Sequence, residues 1–255
     1  MPLYVEQGMG DNPQFLRNAA PMAEAGARVL AAVPIPMMPP AASAPGVDSV
    51  VEPTRVLPRF DVCAPLPSLP QLMGTRPDTI PGADGYLTAP RDRLSVPDNF
   101  TVAITWAGAA VYLNDHNRSV DLGALAPLFK VPGIRWLSPQ TGPSAAGLKS
   151  RRSGPEVVAL GARLKDFADS AAVLMQADLV ITLDTALCHL AGALVCTVWI
   201  LLPFAPDWRW GLDRTDSPWY RSARLYRQPR PRDWNSVAET VASDLRAIIA
   251  SGPRP

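Results

Sequence analysis

The chain has 255 residues, 47% of them apolar, and its 24 Lys and Arg nearly balance 23 Asp and Glu, for a net charge of +1. That length allows one large domain or two small ones with a substantial core, and the charge balance excludes a partner chosen by charge alone. No basic stripe interleaves with aromatics, so nucleic acid is not indicated. The three cysteines (Cys63, Cys188, Cys196) are odd in number and lack metal-ligand spacing, so reduced thiols in a cytoplasmic protein are expected. The opening MPLYVEQGMGD shows no signal-peptide pattern. The longest apolar run, ALVCTVWILLPFA (193–205), is too short to span a bilayer.

PLYVEQGMGD (2–11) reads as a strand entering a glycine turn, NPQFLRNAAPMAEAG (12–26) as a helix limited by Pro13 and Pro21, and ARVLAAVPI (27–35) as a second strand. This is the rhythm of a βαβ unit. Ten prolines between Pro34 and Pro70 predict loops and short strands there, at 49–53 and 60–65. Residues 75–98 read as a linker rich in Pro, Gly and Asp. A second α/β series follows: strands at 100–108, 134–140, 156–160, 179–183 and 197–202, helices at 121–129, 167–177 and 234–251, and a polar loop NDHNRS at 114–119. In the last helix Val237, Val241, Leu245, Ile248 and Ile249 trace one apolar face. The basic RSARLYRQPRPRD (221–233) reads as a solvated loop or turn. Two doubly wound units result, with ligands expected at the carboxyl ends of the strands.

The motifs with chemical content lie at those ends. LVITL (179–183) suits a strand buried on both faces. Asp184 and Thr185 are N-cap types, and the Ala- and Leu-rich stretch after them is helical. Such a helix start offers N–H groups to an anion, with His189 one turn in; the alternative is a cap and a packed histidine. Gly8 and Gly10 allow a tight turn before Asp11, which is either a helix cap or a site residue. GPSAAGLKS (142–150) has one residue too many for a phosphate loop. No Asp-x-Asp pair sits at a strand end as a divalent-metal clamp, and there is no G-x-S-x-G elbow. Trp208, Trp210, Trp219 and Tyr220 form an aromatic cluster suited either to packing or to a base or sugar platform.

The stretches EQGMGDNPQFLR, VAITWAG, NDHNRS, DFADSAAVLMQADLVITLDTALCHLAGAL and VWILLPFAPDWRWGLDRTDSPWYRSARLYRQ resemble, in order, the glycosyltransferase domain that bacteria attach to tetratricopeptide repeats. That domain is a relative of the heptosyltransferase-like glycosyltransferase family nine, with a more distant similarity to O-linked N-acetylglucosamine transferase. The resemblance implies a GT-B-like α/β fold of two Rossmann-like doubly wound domains facing a cleft, 1–95 on the acceptor side and 96–255 holding the nucleotide sugar. It implies an inverting transfer to an acceptor hydroxyl on a glycan, lipid or protein, without a metal or other cofactor. Asp11 then matches the catalytic base. Gly10, Arg118, Ser119, Gln140, Thr141, Asp184, Thr185 and His189 match the donor-binding set, and Phe167 and Trp208 are platform candidates for the base or sugar. Thr141 stands where relatives carry lysine, Asn12-Pro13 replaces a small hydroxyl and an aliphatic residue, and ALVCTVW replaces Gly-Lys-Pro. These departures leave open a catalytically degenerate binding or scaffold module of the same fold.

Overall fold

The computed structural model describes residues 1–89, 100–151 and 154–251. It contains two parallel sheets. The first has the order β3-β2-β1-β4, from β1 (Pro2–Tyr4), β2 (Val29–Ala32), β3 (Val47–Val51) and β4 (Ala64–Pro65). The second has the order β10-β9-β8-β5-β6-β7, from β5 (Phe100–Ile104), β6 (Ile134–Ser138), β7 (Val157–Ala159), β8 (Leu179–Leu183), β9 (Val198–Leu202) and β10 (Ala223–Arg227). All strand pairings between these elements are parallel; Asp216 adds one antiparallel bridge to Arg224. The expected boundary at 95/96 lies outside the described residues.

Hydrophobicity on both faces explains the centre of the second sheet. Every residue of β8 and β9 is buried, as parallel strands covered by helices require. Thr182 fits there because its hydroxyl meets that of Thr105 at 2.7 Å, so neither hydroxyl is left without a partner. The closing helix Trp234–Ser251 buries Val237, Val241 and Leu245 in a cluster with Ile181, Trp199 and Trp136. Each such side chain contributes roughly 1.5–3 kcal/mol by leaving water. A second cluster joins residues of the first sheet, such as Leu3 and Val29, to residues around the second, such as Leu190 and Tyr220.

Three expectations change. The helix at 12–26 is broken into Asp11–Phe15, a 3₁₀ turn Leu16–Asn18 and Ala19–Glu24; Pro21 lacks the N–H that a continuous helix would need from it. The proline-rich stretch holds short helices at Met38–Ala42 and Leu69–Leu72 as well as strands, with prolines in their first turns, where a missing N–H costs nothing. The segment read as a basic loop contains the edge strand β10, with Leu225 and Tyr226 turned into the core.

No helix among the described residues is long and apolar enough to cross a membrane.

Candidate functional site

The helix after β1 and the helix after β8 pack against each other. Their starts meet at Gly10, where an added Cβ would lie 2.9 Å from Cδ2 of His189 and 3.5 Å from Cα of Ala186. Gly10 has an ordinary right-handed backbone, so close approach, and not an unusual φ, is what calls for glycine here.

Asp11 is the first residue of its helix and is 6% exposed. It follows the N-cap Gly10 and is not itself the cap residue. Its Oδ1 instead accepts from Nη2 of Arg209, whose Nε donates to Oε1 of Gln14 at 2.5 Å and whose Nη1 donates to Asp207 at 2.8 Å. Burial raises the Asp11 carboxyl above its ordinary range, outweighing Arg209. Arg209 is itself raised: burial opposes its charge, but Asp207 and Asp11 prevail.

Across the contact, Thr185 occupies the N-cap position of helix Ala186–Ala193 in extended conformation, yet its hydroxyl makes no cap bond. The expected capping role therefore falls away. Thr185→Ala should change the free energy of unfolding by less than about 0.5 kcal/mol, below the usual 0.5–2 kcal/mol for a cap; urea melts check this. His189 is 4% exposed. Its ring stacks on Trp210 (centroids 5.4 Å apart, 17° between planes) and its Nδ1 lies 3.0 Å from the Tyr220 hydroxyl. Burial, reinforced by Arg209, Arg17 and Arg118, holds its pKa far below the ordinary value, so the ring is neutral at physiological pH. The Asp184 carboxyl is raised by burial, partly offset by the Trp210 indole and Arg118. Nη1 of Arg118 donates to the Asp184 carbonyl at 2.7 Å, and its Nε to Asp115 at 3.0 Å. Ser119 also donates to Asp115, and accepts from the Gly108 N–H.

Of the predicted residues, Gly10, Asp11, Arg118, Asp184, Thr185 and His189 thus come together, with Ser119 attached through Asp115. Gln140 does not join them: its Oε1 accepts from the N–H groups of Trp106 and Ala107, and its Nε2 donates to the carbonyls of Ala107 and Thr141. That amide is used up in holding two loops. Thr141 is exposed. Phe167 begins its helix half-buried against the shared core. Trp208 is 66% exposed with Arg209 over its ring at 5.1 Å, so it flanks the site. Sequence reasoning did not single out Gln14, Arg17, Asp207 or Arg209.

Asp184, Cys188 and His189 place three donor atoms within 4.8 Å of one another. The set suits a cation poorly. Burial holds the Cys188 thiol far above its usual range, it donates to the Thr185 carbonyl at 3.0 Å, and the positive charge of Arg118 and Arg209 acts on it. A groove of about 480 Å³ bordered by Arg214, Arg224, Tyr226 and Thr240 lies along β10 and the closing helix and contains none of these residues.

No protein-family model matches the chain, and no curated protein matches it. A glycosyl transferase family 9 protein from Veillonella parvula DSM 2008, known from a crystal structure, is similar in fold: the TM-score is 0.62 over 89% of this chain and 85% of that one, at 10% identity. At that identity the likeness concerns the fold. The chain has a parallel-sheet α/β architecture of two sheets, GT-B-like, matching that of a family 9 glycosyltransferase.

Proposed function

We propose that the protein is a glycosyltransferase that moves a sugar from a nucleotide sugar to an acceptor hydroxyl, with inversion and without a metal. Residues 1–95 would form the acceptor-side domain and 96–255 the donor-side domain, facing each other across a cleft, and the free thiols suit a cytoplasmic setting. The observation that carries the reading is the meeting of two helix starts. One brings Asp11, a buried carboxylate with raised pKa; the other brings the start of helix Ala186–Ala193, a Thr185 hydroxyl that makes no cap bond and a neutral imidazole. In this reading the helix start and Arg118 hold the donor's diphosphate. His189 orients the donor, Trp208 offers a face to the base or sugar, and Asp11 takes the acceptor's proton during attack on the anomeric carbon.

Nucleoside diphosphates and their sugars should therefore stabilise the chain in a thermal-shift screen, by about 2.7 kcal/mol at 100 times the dissociation constant. The shift should persist in EDTA and gain nothing from magnesium or manganese. A shift seen only with added metal would overturn the metal-free donor site, and no shift with any of these compounds would overturn the donor reading.

A second reading is a binding module that has lost turnover. It is favoured by the pairing of Asp11 with Arg209 and by the closed hydrogen bonding of Gln140. Turnover in the presence of a donor that binds decides between the two.

A further inference from the structure

Arg209 bridges the two halves of the candidate site in a way that neither base catalysis nor donor binding at the helix start explains. It sits on the 3₁₀ turn Trp208–Trp210 after β9 and reaches across to the helix after β1. Its three hydrogen bonds go to Asp11, Gln14 and Asp207, and its face lies over Phe15 at 5.6 Å. One donor beside it is buried and has no partner: Nε2 of Gln14, on the same amide whose oxygen holds Arg209. Gln14 is fully buried. An unpartnered buried N–H is costly, and this one asks for an acceptor atom. Arg209 also acts electrostatically on Asp184, His189 and Cys188, so its positive charge is felt at the start of helix Ala186–Ala193.

We infer that Arg209 is an anion-operated latch: it pairs with Asp11 while no donor is bound, and transfers its guanidinium to the donor's phosphates when one arrives. The inference rests on the donor reading above. Phosphate oxygens would satisfy the guanidinium as a bidentate partner and would accept from the orphaned Gln14 amide N–H. Asp11 would lose its cationic partner and become free to receive an acceptor proton. No bond forms or breaks in this step; one ion pair is exchanged for another. The device would tie readiness of the base to occupancy of the donor site and keep the base occupied in the empty chain.

The test is a binding cycle, read by calorimetry with inorganic pyrophosphate, UDP and ADP as probes. Because Asp11 competes for Arg209, Asp11→Asn should bind these anions about tenfold tighter than wild type, while Arg209→Gln should bind about tenfold weaker. The double variant separates the latch from simple relief of repulsion between Asp11 and the anion. With Arg209 absent, a latch gives no gain, so the double variant should bind like Arg209→Gln. If the gain persists in the double variant, or if Asp11→Asn binds no tighter than wild type, the latch is wrong and the donor reading stands. If neither wild type nor Asp11→Asn binds any probe, both fall. Should Asp11→Asn fail to fold, Asp11→Glu substitutes for it: the longer carboxylate misaligns the pair, tighter binding supports the latch, and unchanged binding overturns it.

Discussion

Asp11→Asn should lower turnover by roughly 10²–10⁴-fold, the usual contribution of a positioned general base, while the fold and the donor site survive. The asparagine keeps the shape and an oxygen that can accept from Arg209. Arg209 in turn retains Asp207 and Gln14, so the cost in stability should be about 1 kcal/mol and not the larger penalty of stranding a buried charge. Donor affinity should not fall, so the loss belongs in kcat. The pH profile supplies a second readout. Burial raises the wild-type carboxyl above its ordinary range, and a base works only when deprotonated. The wild-type kcat/KM should therefore rise with pH through that raised value and level off above it, and the asparagine variant should lack this acid limb. Wild-type turnover in Asp11→Asn would refute the base assignment while leaving the fold untouched.

Much of this arrangement was legible in the sequence, for identifiable reasons. β5, β8 and β9 stood out because strands covered on both faces are apolar without alternation. The closing helix stood out because its apolar residues keep a helical period. Gly10, Asp11, Asp184, Thr185 and His189 were legible because they lie in the turns and helix starts that follow β1 and β8, where α/β sheets place their ligands. β10 was hidden: its Arg224-Leu225-Tyr226-Arg227 alternation looks like a basic turn until the edge position lets Arg224 pair with Asp244 at 2.6 Å. A glutamine near a strand end has the same letters whether it binds a ligand or ties two loops; the Gln140 amide ties two loops. Arg209 and Arg17 were out of reach for another reason. Their partners lie 195 and 202 residues away, at Gln14 and Trp219, and an arginine among 24 basic residues carries no local sign of burial.

Arg17 is where that hidden information has its largest structural effect. It is 2% exposed and none of its hydrogen bonds goes to a carboxylate. Its Nε donates to the Gln14 carbonyl at 2.7 Å and its Nη1 to the carbonyls of Trp219 at 2.9 Å and Pro81 at 3.3 Å. The guanidinium carbon lies 4.8 Å from the ring centres of both Tyr86 and Tyr220, and 5.4 Å from that of Trp219. Burial alone would weaken the charge, but the two tyrosines sustain it and leave its pKa raised. One side chain thereby joins the helix that carries Asp11 to the segment whose Tyr220 orients His189. Arg17→Met keeps the apolar volume and removes every donor. The carbonyls of Trp219 and Pro81 then lose their partner, at about 1–3 kcal/mol for each that stays buried, while the Gln14 carbonyl keeps the Tyr86 hydroxyl at 3.2 Å; the cation–π contacts are lost as well. Removing the desolvation cost of the arginine returns part of this. The Trp219 and Pro81 carbonyls prevail, and a net loss of about 3 kcal/mol is expected. For a chain of this size that lowers Tm by roughly 6–12 °C. Nucleoside diphosphate binding should weaken with it, because His189 and Asp11 lose their common support. A Tm unchanged within about 2 °C would show that Arg17 merely fills space, and that the two halves of the site are held together by their apolar core.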